Sequence, residues 1–292
     1  MSHLIGIDIG GTNLRVAIIS KDGNVVDTFK VSNEVEKGAE YNLDKLINHI
    51  KSDWKGYEFE KVGVGAPGPL DLKVGRILNP PNLKGWENFN IKNYLSEKLN
   101  IPVQVNNDAN VAGLAEAVVG AAKDADSVFY ITISTGVGGG LILDKRIVNG
   151  AHSQAAEIYN MIINEDEYIQ PGLNKSSLEG QCSGVNIARI ASSEYKSNLS
   201  TKEVFDLYNN NEEKIVKVID AWINNISTGI ANIIAVVDPE VIVLGGAVPI
   251  NNPCLIPKVI EAVKKKVADP NMVDIRVAKI GDNAGLIGAA ML

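Results

Sequence analysis

The sequence is poor in the residues that build disulfide frameworks and metal clusters. Of its 292 residues, two are cysteine (Cys182 and Cys254) and three are histidine. The cysteines do not form a C-x-x-C pair, and the histidines lack the spacing of metal ligands. We therefore expect neither a disulfide framework nor a cysteine-rich metal site.

Long apolar runs and basic blocks are also missing. No run of about 18 apolar residues occurs, as a membrane-spanning helix would need. The amino terminus, MSHLIGIDIGG, has neither a basic segment nor an apolar core long enough for a signal peptide. A formal net charge of −7 and a pI near 5.1 disfavour nucleic acid as the main partner. We expect a cytoplasmic protein with no membrane and no nucleic-acid partner.

The remaining composition is that of a globular protein with room for two domains. Hydrophobic residues make up 45% of the chain and charged residues 22%. A pattern of strand, glycine turn and strand occurs twice, which predicts two lobes of similar core topology in an α/β protein. The two units are Leu4–Ile9, Gly10–Asn13 and Arg15–Ser20, then Val128–Ile133, Ser134–Gly140 and Leu141–Leu143.

The segment VQVNNDANVAGLAEA, residues 103–117, changes from a strand pattern to a helix pattern. The change occurs at Asn106, Asn107 and Asp108, which places Asp108 near the carboxyl end of a strand. Ligands bind at that edge in open α/β sheets, and a carboxylate there can take a proton from a bound hydroxyl. The alternative is that Asn107 or Asp108 only caps the helix.

The first glycine turn has the residues of an anion site. Gly10 and Gly11 let the backbone approach a phosphate, and Thr12 and Asn13 add donors. Asp8, at the strand end, is a candidate ligand of Mg²⁺, directly or through water. A tight hairpin capped by Asp8 is the alternative, and the Walker A spacing is absent.

Two later glycine clusters allow similar interpretations. Ser134–Gly140 has four glycines, which indicates either a nucleotide phosphate against the backbone or a glycine-rich bulge. Gly245 and Gly246 follow an apolar strand and are candidates for contact with a base or ribose. A Rossmann fingerprint with its acidic residue is missing.

A third set of candidates lies in the irregular segment Gly150–Gly184. Glu157, Asn160 and Glu179 are polar residues in a region without clear periodicity. Loops carry functional residues more often than cores do. The alternative for each of them is a solvated surface residue.

Taken together and in this order, the motifs resemble those of the ROK family (repressor, open reading frame, kinase). They are IGIDIGGTNLRVA, GVGAPGPLD, NNDANVAGLAEA, STGVGGGLI, AAEI, SLEGQCSG, VIVLGG and AGLIGAA. The resemblance implies the two-lobed actin/hexokinase/Hsp70-like ATPase fold, an α/β fold with ribonuclease H-like lobes. It assigns residues 1–106 plus 280–292 to a smaller lobe and 107–279 to a larger one.

The resemblance also implies roles for the candidate residues. Asp108 corresponds to the general base that deprotonates the sugar hydroxyl. The sugar ligands that it implies are Gly68, Asn82, Asn107, Asp108, Glu157, Asn160 and Glu179. The ATP-binding residues that it implies are Asp8, Gly10, Gly11, Thr12, Asn13, Thr135, Gly136, Gly139, Gly245 and Gly246, with Asp8 also near Mg²⁺.

Two departures from the family pattern matter. Family members commonly carry E-x-G-H followed by C-x-C-G-x-x-G-C, which binds one zinc, whereas this chain has Glu157-Ile158-Tyr159-Asn160 and no cysteine before Cys182. We therefore expect no zinc site. The family's repressors carry a helix-turn-helix domain before the first phosphate loop. That loop begins at Asp8 here, which disfavours a repressor.

The resemblance thus implies an ATP- and Mg²⁺-dependent hexose kinase, most simply one that phosphorylates the 6-hydroxyl of glucose, and a homodimer. An N-acetylmannosamine or other amino-sugar kinase is the alternative within the enzymes. A sugar sensor without turnover is the alternative outside them. Asp108 distinguishes the two classes, because a sensor has no need of a base.

Overall fold

The computed structural model describes residues 2–292 and contains twelve strands and ten α-helices within that range. The strands are β1 (His3–Ile9), β2 (Asn13–Ile19), β3 (Val25–Ser32), β4 (Phe59–Ala66), β5 (Leu70–Asp71), β6 (Arg76–Ile77), β7 (Val103–Asn107), β8 (Ser127–Ile133), β9 (Val137–Leu143), β10 (Arg146–Ile147), β11 (Val241–Gly245) and β12 (Ile275–Val277). The helices are α1 (Gly38–Ser52), α2 (Ile91–Leu99), α3 (Asp108–Val118), α4 (Leu178–Cys182), α5 (Gly184–Tyr195), α6 (Thr201–Asn209), α7 (Glu213–Val237), α8 (Ala247–Asn251), α9 (Ile256–Lys264) and α10 (Ala284–Met291). No helix in residues 2–292 is both long and apolar enough to cross a membrane.

The contacts divide the chain into two compact units. One contains residues 2–126, 140–155 and 279–292, and the other contains residues 127–139 and 156–278. The lobes expected from the family, 1–106 plus 280–292 and 107–279, remain a prediction. The contact-based division differs from them by assigning α3 to the first unit, because α3 and α10 pack closely together.

The first unit is built on a sheet with the strand order β3-β2-β1-β4-β7. Strands β1, β4 and β7 run parallel, with Asp8 opposite Gly65 and Ala66 opposite Asn107, while β2 and β3 are antiparallel. The central strands are almost entirely buried apolar residues, as expected for a sheet that is covered on both faces. The carboxyl ends of three parallel strands therefore meet at one edge.

Helix α10 approaches this sheet unusually closely, because glycines stand at the contact points. A Cβ atom on Gly6 would lie 2.0 Å from the carbonyl oxygen of Leu286, and one on Gly63 would lie 1.6 Å from that of Ala289. A Cβ on Gly288 would lie 1.6 Å from the carbonyl oxygen of Val111. These are backbone clashes that no rotamer change relieves. The missing side chains let α10 lie against both the sheet and α3.

A buried carboxylate fixes the chain as it enters α10. Glu116 is fully buried and accepts hydrogen bonds from the backbone N–H groups of Ala121, Lys279 and Ile280, at 2.7, 2.9 and 2.9 Å. A buried charge is tolerated only when donors surround it in this way. Glu116 thus connects the end of α3 to the start of the carboxyl-terminal segment.

The second five-stranded sheet has the order β10-β9-β8-β11-β12. Within the second unit, β8, β11 and β12 run parallel, and β11 is buried throughout. Helix α7 packs a wide apolar face on this unit and ends at Asp238 and Pro239, as the sequence predicts.

Two details of the sequence prediction are wrong. The segment 134–140 is predicted as a turn, but β9 already begins at Val137, so its last three glycines lie in a strand. Positions 139 and 140 are both occupied by glycine because there is little room for a side chain. A Cβ on Gly139 would lie 2.5 Å from the carbonyl oxygen of Ala156, and one on Gly140 would lie 3.1 Å from Asn110. Helices α5 and α6 are absent from the prediction, although Ser200 and Glu203 form a capping box at the start of α6.

Candidate active site

The polar residues predicted at the carboxyl edge of the first sheet lie where three strands end. Asp8 is near the end of β1, Gly68 follows β4, and Asn107 ends β7. A Cβ built on Gly68 would lie 3.5 Å from the Nδ2 atom of Asn107, so these residues are neighbours. The parallel register makes this edge a site at which ligands can reach several strand ends at once.

Asn107 and Asp108 both accept a hydrogen bond from the first turn of α3. Asn107 is the N-cap, and its Oδ1 accepts a hydrogen bond from the N–H of Ala109 at 2.9 Å. Oδ1 of Asp108 accepts from the same N–H at 2.8 Å. Asp108 is the first helical residue; part of its surface is accessible to a ligand, although protein atoms surround its carboxyl on most sides. The capping alternative is therefore realised at Asn107, which is the N-cap residue.

The carboxyl of Asp108 has a raised pKa. Desolvation by the surrounding protein raises its pKa to about 6, and the nearby charge of Asp8 adds to the rise. The hydrogen bond from Ala109 opposes this shift. A carboxylate with a pKa this close to neutrality is a better proton acceptor than an ordinary aspartate and is still ionised at neutral pH.

A buried amide network supports the backbone at this point. Oδ1 of Asn106 accepts from the N–H of Asn107 at 2.8 Å and from Nδ2 of Asn110 at 2.9 Å. Nδ2 of Asn106 donates to Oδ1 of Asn149 at 2.9 Å. Asn110 and Asn149 were not predicted, because Asn106 lies in β7 and Asn110 in α3, so no helical spacing marks the pair.

The first glycine turn has its backbone N–H groups available for a ligand. Gly10 donates to the carbonyl of Asn13 at 2.9 Å, and Asn33 holds the turn by donating from Nδ2 to the carbonyl of Gly10 at 2.7 Å. The N–H groups of Gly11 and Thr12 have no protein acceptor within residues 2–292. Two successive unpaired N–H groups form an anion-binding concavity.

A pocket of about 420 Å³ lies over this turn. It is lined by Asp8, Gly10, Gly11, Thr12, Asn13, Arg15, Lys30 and Asp282. Arg15 and Lys30 face each other across β2 and β3, and neither was predicted from the sequence. The alternation of side chains in β2 could have indicated Arg15, because it lies on the same face of the strand as Asn13.

Asp8 is paired with one of these cations. Arg15 donates to Oδ2 of Asp8 from Nε at 3.0 Å and from a terminal nitrogen at 2.5 Å. Both contacts are to Oδ2, so Oδ1 remains available to a cation. Within residues 2–292 no group of three or more His, Cys, Asp or Glu side chains is arranged to hold a metal. A magnesium ion at Asp8 fits this site if phosphate oxygens and water supply its other ligands.

Asn82 lies beside the first turn as well. It is exposed, and a Cβ on Gly11 would lie 3.5 Å from its carbonyl oxygen and 3.8 Å from its own Cβ. The first unit thus brings together Asp8, Gly10, Gly11, Thr12, Asn13, Gly68, Asn82, Asn107 and Asp108.

In the second unit, the second glycine turn is packed on Glu179. Oε2 of Glu179 accepts from the N–H of Val137 at 2.9 Å, and a Cβ on Gly136 would lie 2.6 Å from this oxygen. Gly136 therefore has no side chain because the carboxylate occupies that space. Thr135 is exposed at the tip of the turn, and its N–H and that of Gly136 have no protein acceptor within residues 2–292.

Glu157 and Asn160 flank a short 3-10 turn in the same unit. Glu157 precedes it, and Asn160 ends it. Oδ1 of Asn160 accepts from the N–H of Asn174 at 2.6 Å. The amide oxygen of Asn160 therefore closes the following loop, and its Nδ2 is the atom left for a ligand.

Gly245 and Gly246 lie at the carboxyl end of β11. Gly246 has φ of +84° and directly precedes α8, and a Cβ on Gly245 would meet the hydroxyl of Tyr130 at 2.2 Å. A pocket of about 440 Å³ adjoins this end of the unit. Residues of α6 and α8 and their flanks line it: Thr201, Lys202, Phe205, Asp206, Asn209, Ala247, Val248, Asn251 and Asn252.

The residues present do not fit a structural zinc. Zinc needs four donors such as thiolates and imidazoles, and the segment 150–184 offers one histidine, the exposed His152, and one cysteine. That cysteine, Cys182, is fully buried, and burial raises the pKa of its thiol. It is therefore a protonated core residue.

Comparison with known proteins identifies the family. The ROK family pattern matches residues 4–292. The chain is a member of the ROK family. It is 30% identical to the glucokinase of Halalkalibacterium halodurans over 99% of this chain and 94% of that protein. It is also 28% identical to the N-acetylmannosamine kinase of Haemophilus influenzae, over 98% of this chain and 93% of that protein.

Solved structures of ROK proteins have the same fold. The ROK hexokinase of Thermus thermophilus matches with a TM-score of 0.90 and 30% identity, over 99% of this chain and 97% of that one. A ROK glucokinase of Streptomyces griseus in complex with glucose and AMPPNP matches with a TM-score of 0.79 and 25% identity, over 99% and 98%. The prediction of a two-lobed actin/hexokinase/Hsp70-like α/β fold is confirmed.

Proposed function

We propose that this ROK protein is an ATP-dependent hexose kinase that phosphorylates glucose at its 6-hydroxyl. The observation that carries the proposal is the carboxylate of Asp108, whose pKa is raised to about 6 at the sheet edge where Asp8 and the first glycine turn also lie. A proton acceptor beside an anion-binding turn is the arrangement that phosphoryl transfer to an alcohol needs.

Asp108 takes the proton of the attacking hydroxyl in this mechanism. Its ionised form predominates at neutral pH, and the hydrogen bond from Ala109 fixes the carboxylate at the start of α3. Such a base contributes roughly 10²–10⁴-fold to the rate. Asn107 binds a neighbouring hydroxyl through Nδ2, because its Oδ1 is engaged in the cap.

Sugar hydroxyls need further partners of both hydrogen-bonding types. We assign Gly68 and Asn82 of the first unit as ligands, together with Glu157, Asn160 and Glu179 of the second. The glutamates accept hydrogen bonds from hydroxyls, and Asn160 donates from Nδ2. These assignments rest on the family resemblance and, at Asn160, also on the Nδ2 atom that its loop contact leaves available.

The two glycine turns bind the phosphates of ATP. Backbone N–H groups of Gly11 and Thr12 in one turn, and of Thr135 and Gly136 in the other, donate to phosphate oxygens. Arg15 and Lys30 add positive charge at the first turn. Asp8 would hold Mg²⁺, which neutralises the charge that develops on the phosphates.

The adenosine is bound near Gly245 and Gly246 in this proposal. The neighbouring pocket between α6 and α8 has room for a base, with Phe205 as its apolar wall. Gly139 lies in β9, where its missing side chain leaves room for the carbonyl group of Ala156, and we propose that it lies near the nucleotide because it follows the second turn. A cytoplasmic homodimer is the assembly that we propose.

An amino-sugar kinase is the second candidate, since a relative of nearly equal identity carries that name. The test is ADP release with glucose, N-acetylmannosamine, N-acetylglucosamine, fructose and mannose in parallel, followed by assignment of the phosphorylated position by NMR. The highest kcat/KM with glucose supports the proposal, and the highest kcat/KM with an amino sugar selects the alternative. Sugar binding without ADP release would identify a sensor.

The role of Asp108 is tested in the same assay. Asp108→Asn keeps the size of the side chain and removes the base, so turnover should fall by at least about 100-fold while sugar affinity stays within several-fold. Asn107→Asp would not rescue it, because the cap fixes that side chain elsewhere. Near-normal turnover of Asp108→Asn would exclude Asp108 as the base.

A further inference from the structure

The loop between Asn160 and Ser177 has no zinc ligands, yet it is closed by hydrogen bonds. The N–H of Ile163 donates to the carbonyl of Ser176 at 3.0 Å, and the hydroxyl of Ser176 donates to the carbonyl of Asp166 at 2.6 Å. Asn174 is tied to Asn160 at the other side. The backbone of this loop is therefore held in a defined path by its own polar groups.

A side chain of this loop reaches Glu179. Nε2 of Gln170 donates to Oε1 of Glu179 at 3.3 Å, and Oε1 of Gln170 accepts from Nδ2 of Asn186 at 2.8 Å. Asn186 is buried and also donates to the backbone carbonyl of Glu179 at 3.0 Å. Gln170 thus stands between a buried amide and a carboxylate.

In this series of hydrogen-bonded side chains, the orientation of each amide follows from the group that it contacts. Nε of Arg189 is a donor only, and it donates to Oδ1 of Asn186 at 2.9 Å, which turns Nδ2 of Asn186 toward Gln170. Gln170 must then present Oε1 to Asn186 and Nε2 to Glu179. The guanidinium of Arg189 is itself fixed, because it stacks 3.4 Å above the ring of Tyr168 and donates to the carbonyl of Gly180 at 3.1 Å.

We propose that Gln170 is a positioning residue that orients the carboxylate of Glu179 for the sugar, in an amide relay that runs from Arg189 through Asn186. The residues of this chain do not fit the structural zinc of the ROK family, and the relay organises the loop in its place. With Oε2 held by the N–H of Val137 and Oε1 by Gln170, the carboxylate is fixed at both ends. A carboxylate has about four acceptor positions, so two remain for hydroxyls.

This inference rests on the proposed function, because it takes Glu179 as a sugar ligand. It predicts that loss of the Gln170 amide lowers sugar affinity without touching the chemical step. Gln170→Met keeps the length of the side chain and removes the donor. We expect the KM for the sugar to rise about 10-fold, because a hydrogen bond to a charged group is lost, while kcat and the KM for ATP stay within about twofold.

The matched control is Gln154→Met. Gln154 is an exposed glutamine whose amide donates only to the carbonyl of its neighbour Ser153, at 3.3 Å. Its kinetic constants should equal those of the wild type. A second variant, Gln170→Glu, also keeps the size but places a carboxylate against Glu179, so it should raise the KM for the sugar further than Gln170→Met does. Thermal unfolding of each variant checks that the fold is retained.

A double-mutant cycle separates positioning from a general structural effect. If Gln170 acts through Glu179, then Gln170→Met adds nothing once Glu179→Gln has removed the charge that it orients. If the rise in the KM for the sugar in the double variant equals the product of the rises in the two single variants, the proposal is overturned. It is also overturned if the KM for the sugar is unchanged in Gln170→Met but raised in Glu179→Gln. The proposed function has separate outcomes. It fails if the wild type releases no ADP with any sugar, and it stands if only the cycle fails.

Discussion

The pH dependence of sugar phosphorylation is the sharpest consequence of the site. In the proposed mechanism Asp108 must be ionised to accept the hydroxyl proton, and its pKa is raised to about 6 by desolvation and by the charge of Asp8. The value of kcat/KM follows the ionised fraction in the free enzyme. That fraction falls from about nine-tenths at pH 7 to about one-tenth at pH 5, so kcat/KM should fall about tenfold between them.

The assay is a coupled measurement of ADP release at saturating ATP from pH 5 to pH 8, with sugar varied at each pH. An aspartate with an ordinary pKa of about 3.9 would lose little activity over this range, so the two cases are clearly distinguished. The residual activity of Asp108→Asn should lack the acidic limb. The same limb in Asp108→Asn, or a flat profile in the wild type, would refute the assignment of the base.

Asp8 provides an internal check of the physical cause. Its negative charge contributes to the raised pKa of Asp108, so Asp8→Asn should move the acidic limb of the residual activity to lower pH. The shift should be smaller than the difference between a pKa of about 6 and the ordinary pKa of an aspartate, because desolvation is the larger cause. An acidic limb that moves to higher pH would contradict this electrostatic account.

Other variants and conditions test the remaining parts of the structure. Arg15→Met removes a cation from the phosphate pocket, so the KM for ATP should rise about 10-fold with little change in the KM for sugar, and an unchanged KM for ATP would exclude this role. Gly288→Ala places a Cβ 1.6 Å from the carbonyl oxygen of Val111, so urea denaturation should show a loss of about 3 kcal/mol or more, whereas wild-type stability would contradict the backbone contact. Zinc chelators should leave the Tm unchanged, because residues 2–292 contain no cluster of zinc donors, and a large drop would reveal a structural metal.

The sequence predicts the strand and helix at the edge of the first sheet well because their signals are local. The change of period at Asn106–Asp108 marks a strand end and a helix start, and the structure has β7 and α3 on either side of it. The meeting of Asp8 with this point follows from the rule that parallel strands share a carboxyl edge. Neither step needs knowledge of a distant contact.

Predictions from local pattern fail where tertiary contacts decide. Gly139 and Gly140 have the composition of a turn, but they are strand residues. A side chain at these positions would clash with Ala156, which comes later in the sequence, and with Asn110, which comes earlier. Lys30 joins the phosphate pocket only through the register of β2 and β3. Gln170 lies in a loop without periodicity, so no spacing indicates its contact with Glu179.

The two aspartates of the first unit have different partners, and this difference explains why they suit different tasks. Asp8 has the guanidinium of Arg15 on one oxygen, which leaves the other oxygen for a cation. Asp108 has no cationic partner within hydrogen-bond distance among residues 2–292, and its surroundings raise its pKa. In the proposed mechanism, these two neighbouring carboxylates serve as a cation ligand and a base because Arg15 pairs with only one of them. The proposed mechanism therefore depends on Arg15 as well as on Asp108, because the pairing of Arg15 with Asp8 distinguishes the two aspartates.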